Sequence, residues 1–132
     1  MRLRIGNGLI LLFVGLWCSG CSRHAAPYIT LPSGKQIKIA SIVPMHFPNG
    51  EDALILNCET DISIDDAVDL RKEVDEIWGI FRKNVESANL SNGMIRITHP
   101  EGSGSVTHSK GYGFVFVKRA DGLWHCLQDK KQ

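Results

Sequence analysis

Ser63-Ile-Asp-Asp-Ala-Val-Asp-Leu-Arg-Lys-Glu-Val-Asp-Glu-Ile-Trp-Gly-Ile-Phe-Arg-Lys-Asn-Val-Glu-Ser-Ala88 carries the clearest periodicity in the chain. Ala67, Leu70, Val74, Ile77, Trp78, Phe81, Val85 and Ala88 recur at steps of three and four, which makes one broad apolar stripe. Ser63 reads as an N-cap, with Asp65, Asp66 and Asp69 placed where carboxylates complement the helix dipole. Asn92-Gly93 reads as the stop signal. The spacing therefore predicts a helix over residues 64–88. Lys72, Glu76, Lys83 and Glu86 form its expected wet face, Glu73 reads as solvated beside them, and Val68 and Ile80 fall outside the stripe. A helix with a single apolar stripe is not stable alone in water, so it requires a sheet to lie on.

The flanking sequence supplies that sheet. Tyr28–Leu31 and Lys35–Val43 are β-prone runs either side of Pro32-Ser-Gly34, a hairpin pattern, and Pro44 and Pro48 are expected to close the second run. Ala53–Glu59 starts apolar on both faces and is expected centrally in a sheet. Met94–Thr98 alternates, Tyr112–Arg119 alternates more strongly, and Asp121-Gly122 is a hairpin signal linking Gly113–Ala120 to Leu123–Leu127. The expected fold class is α+β: an antiparallel β-sheet packed on one long α-helix, in the order βββαβββ, as a two-layer sandwich. Residues 28–128 form its single domain.

With 132 residues, 43% apolar and 22% charged, the chain has room for one domain. Fifteen Lys+Arg against 14 Asp+Glu leave no electrostatic footprint for nucleic acid. A mean hydropathy of −0.06 excludes a polytopic membrane protein.

Arg2 and Arg4 precede the apolar run Leu9–Trp17, which is too short for a membrane span of about 20 residues and has the build of a signal peptide. With Ser19-Gly20 immediately before Cys21, residues 1–21 resemble the signal sequence of bacterial lipoproteins, with Cys18 standing where that family has an aliphatic residue. The resemblance implies removal of residues 1–20, acylation (palmitate-type chains) of Cys21 as the new N-terminus, and attachment to the membrane through those chains. In a Gram-negative host, Ser22 after the acylated cysteine implies an outer-membrane lipoprotein facing the periplasm. Residues 21–27 read as a tether.

Cys58 and Cys126 remain after such processing, both expected to point inward from strands, and outside the cytoplasm a disulfide is the simplest reading of the pair. A nucleophile at Cys126 is disfavoured because its neighbour His125 points to the opposite face. The five histidines show no metal-ligand spacing, and Asp61–Asp66 lacks the glycine and twelfth-position acid of a calcium loop. The polar segment His99–Gly111 reads as a long loop, with His99, Ser105, His108 and Lys110 as its possible contact residues. Ser109 before Lys110 and a following strand exclude a nucleotide-binding P-loop.

No catalytic constellation, metal or cofactor is expected. The sequence points to a small lipid-anchored cell-envelope protein that acts by binding a protein or ligand, as adaptor, assembly factor or inhibitor. A periplasmic enzyme acting on envelope polymers and a structural lipoprotein remain as alternatives.

Overall fold

The computed structural model describes residues 27–102 and 108–130. Cys21, the tether up to residue 26 and Ser105 lie outside the described residues. The fold is α+β, built from β1 (Tyr28–Thr30), β2 (Gln36–Met45), β3 (Ala53–Glu59), helix α1 (Ala67–Ser87), β4 (Asn92–Glu101), β5 (His108–Lys118), β6 (Trp124–Cys126) and a 3-10 turn at Leu127–Lys130. The six strands form one sheet in sequence order.

The sheet is mixed, which corrects the expected all-antiparallel arrangement: β3 and β4 run parallel, with Leu56 opposite Ile95 and Cys58 opposite Ile97. The reason is the helix. Its 21 residues advance about 31 Å at 1.5 Å per residue, long enough to carry the chain back past the start of β3. β4 then has to set out in the direction of β3.

Asp66 rather than Ser63 caps α1, its side chain accepting from the Asp69 amide at 3.3 Å. Ser63 closes an earlier turn through the Asp65 and Asp66 amides. Asn89, at φ 57°, ends the helix in place of Asn92-Gly93. The Asn89 amide donates to Glu86 O and the Leu90 amide to Val85 O, the bond pair of a left-handed C-terminal cap.

Leu70, Val74, Ile77, Trp78, Phe81 and Val85 are buried in one cluster with Ile37, Leu56, Cys58, Ile95, Ile97, Phe114, Phe116 and Cys126. These sheet residues alternate along their strands, so α1 covers a single sheet face. Trp78 stacks on Phe116 with ring centroids 4.1 Å apart and planes 3° apart. Glu86, expected in water only, accepts the Trp124 indole N–H at 2.9 Å and ties the helix to β6.

Both sheet edges are blunted. β1 covers β2 only as far as Lys38, so Pro44 occurs within β2 instead of closing it: on an edge its missing N–H costs no ladder bond. On the other side the Gln128 side chain accepts from the Val115 amide and donates to Gly113 O, completing the ladder where β6 has ended.

Candidate functional site

The segment expected as a loop is mostly hairpin. β4 extends to Glu101 and β5 begins at His108, with His99 opposite Lys110 and Glu101 opposite His108. Pro100 is tolerated because β3 has ended opposite Thr98, leaving β4 without that neighbour. Lys110 is engaged: its Nζ lies 3.5 Å from Glu101 and 3.8 Å from Asp65. His99 turns inward, donating from Nδ1 to the Thr60 carbonyl at 3.0 Å. His99, His108 and Lys110 are thus near one another along one hairpin without converging on a common point, and Ser105 is not among the described residues.

A second polar group lies at the same end of the sheet. Glu73, expected in water, is only 4% exposed. Its Oε1 accepts from Thr60 Oγ1 at 2.7 Å and its Oε2 from Lys35 Nζ at 2.5 Å, while Lys35 also donates to Asp61. Burial works against charge on Lys35, but the Asp61 and Glu73 carboxylates outweigh it and hold its pKa above the ordinary lysine value. Lys35 in turn holds Asp61 below the usual carboxylate range. Every member of this network has a partner inside it, so it braces β3 against α1 and the β1–β2 turn rather than waiting for a ligand. Glu76, next along the helix, is half-buried, whereas Lys72 and Lys83 are exposed as expected.

Cys58 and Cys126 do face the helix side, but they are not bridged. β4 and β5 stand between their strands, a lateral separation alone of about 14 Å at three strand spacings, and Cys58 aligns with Tyr112 on β5 while Cys126 aligns with Phe116, so the pair lies well beyond the roughly 7 Å a disulfide tolerates. Burial, and secondarily the Glu73 carboxylate, pushes the Cys58 thiol up to about 12, so it is inert as a nucleophile. Among the described residues no group of three or more His, Cys, Asp or Glu could hold a metal ion, and no helix is long and apolar enough to cross a membrane.

The face of the sheet away from α1 carries the remaining feature. Here Ile55, Met94, Val115 and Val117 line the floor of a cleft of about 350 Å³, with Phe47 and Leu127 at its rim. Phe47 is 43% and Leu127 42% exposed, large apolar side chains left facing water. Asn49, Glu51 and Asn92 edge the opening. The sequence signal for this cleft is the double-sided apolar character of β3 together with Val115 and Val117 alternating against Phe114 and Phe116. Such alternation reports two apolar faces, and one helix covers only one of them.

The chain matches no protein-family model, no curated protein and no solved structure, so the site itself carries the functional argument.

Proposed function

We propose that this chain is a lipid-anchored cell-envelope protein that acts by binding, held to the membrane through an acylated Cys21 and taking an apolar group of its partner or ligand into the cleft on the open sheet face. In a Gram-negative host it sits on the outer membrane facing the periplasm. The observation that carries the reading is the cleft over Ile55, Met94, Val115 and Val117, rimmed by exposed Phe47 and Leu127. Concave apolar surface with few polar groups at its edge is the usual form of a binding site. The lipoprotein-type signal sequence supports the location, and acyl chains leave the domain itself free of any need to bind the membrane.

Site-specific photo-crosslinking in cells tests it. A photoreactive residue at Phe47, on the cleft rim, is compared with one at Val68, 79% exposed on the helix side. Adducts at position 47 and none at position 68 support binding through the open face. Identical patterns at both positions, or none at 47, refute it.

A further inference from the structure

The open face is polar beyond the cleft, and Arg96 stands there, among the described residues, without an ion-pair partner. Ile95 and Ile97 point into the core beneath α1, so Arg96 between them projects from the open face, one step along β4 from Met94. Its cross-strand neighbours are Asn57 on β3 and Gly113 on β5. Among the described residues the Arg96 side chain makes no ion pair or hydrogen bond. The carboxylate on the same face one step along β3, Glu59, is taken by Lys38 at 3.4 Å, and the Asn57 amide donates to Ser41 at 2.9 Å.

Met94 stands between the cleft and Arg96, which lies one row of the sheet beyond the residues that line the cleft. A Cβ on Gly113 would lie 2.8 Å from Met94 Cε, so the thioether leans over the glycine and forms the inner wall of the cleft. Met94 is an unbranched side chain with several rotatable bonds, and it yields to a ligand more readily than a branched one. Gly111, the next open-face position of β5, likewise leaves that strand without a side chain beside Thr98. The face thus reads, from rim to centre, as Phe47, apolar floor, flexible Met94, then an open guanidinium.

We infer that the cleft takes a free medium-chain fatty carboxylate, its alkyl chain over Ile55, Val115 and Val117 and its carboxylate on Arg96. The polarity is fixed because Glu51 stands at the outer rim, hydrogen-bonded to Asn49, and repels an anionic head there. A volume of about 350 Å³ accommodates roughly a dozen groups of about 30 Å³, a chain near ten carbons. Guanidinium and carboxylate are matched in geometry as well as charge. This inference rests on the binding reading above and names its ligand class.

The test uses the full chain in phosphatidylcholine nanodiscs with 13C-methyl methionine, titrated with decanoate or decanol against empty nanodiscs as the partition control. The expected result is a saturable displacement of the Met94 methyl resonance by decanoate, with decanol about tenfold weaker. Arg96→Gln is expected to weaken decanoate about tenfold, Arg96→Lys less, both without change in the melting temperature. Equal binding of decanoate and decanol, unaffected by Arg96→Gln, overturns the assignment of the head group and leaves the apolar cleft standing. If neither compound moves Met94 while the Phe47 cross-link still forms, the ligand class is wrong and the binding reading survives. Loss of both results removes both.

Discussion

Gly93 and Trp78 compete for the same space: a Cβ on Gly93 would lie 2.8 Å from Cζ3 of the indole and 3.0 Å from Cγ2 of Val85. The indole cannot retreat, because Phe116 stacks on it and Trp124 meets it edge-on at 5.1 Å. Gly93→Ala is therefore expected to cost about 1–3 kcal/mol through overpacking, read from urea unfolding with the tryptophan emission as signal. An unchanged midpoint would show that the ring stack moves as a unit.

The Lys35–Glu73 pair predicts asymmetric costs. Lys35→Met leaves a buried carboxylate with Thr60 as its remaining side-chain partner and is expected to destabilise by about 3 kcal/mol. Glu73→Gln keeps an acceptor for Thr60 and is expected to cost about 1–2 kcal/mol. Combining Lys35→Met with Glu73→Gln is expected to recover part of the loss, since both charges are gone and Thr60 keeps an acceptor. Strictly additive costs in that cycle would show that the two groups do not act as a pair.

Stability is expected to fall on the alkaline side first through Cys58. Its pKa is raised from 9.0 to about 12, so the folded state resists a deprotonation that the unfolded chain undergoes. The contribution is complete below about pH 9 and lost progressively toward pH 12. Lys35, raised above 10.5, adds stability that is complete below that value and lost as pH rises through its folded pKa. Asp61, lowered from 3.8, acts in the other direction: its contribution is present above that pH and lost as pH falls through its folded pKa. Denaturation at stepped pH values checks this, and Cys58→Ala should flatten the limb between about pH 9 and 11 relative to its own stability at pH 7. An unaltered limb would place the alkaline loss elsewhere.

Along α1, Phe81→Ala is expected to cost about 3–5 kcal/mol and Lys83→Ala less than about 0.5 kcal/mol. Val68 and Ile80 separate in the same way: Val68 is exposed, while Ile80 packs against the core cluster. Val68→Glu should leave the melting temperature unchanged and Ile80→Glu should lower it clearly. Equal responses would mean that the helix sits rotated on the sheet.

The sequence by itself determined the elements. Apolar steps of three and four placed α1, alternation placed β2, β4 and β5, and glycine at Gly34 and Gly122, with φ of 88° and 79°, placed two of the turns. These features depend on neighbours within a few residues, which one chain displays fully. The helix start moved from Ser63 to Asp66 because several residues there can cap, and only the hydrogen bond to Asp69 distinguishes them. Everything that depends on residues far apart was decided by the tertiary structure. Cys58 and Cys126 both face inward, yet the order of strands sets two others between them. Glu73 belongs to the polar side by helical phase, but the β1–β2 turn folds over it and supplies Lys35, making burial tolerable. The open face has the same cause: periodicity shows that Ile55, Val115 and Val117 are apolar, while the single helix on the other face leaves them lining an uncovered cleft.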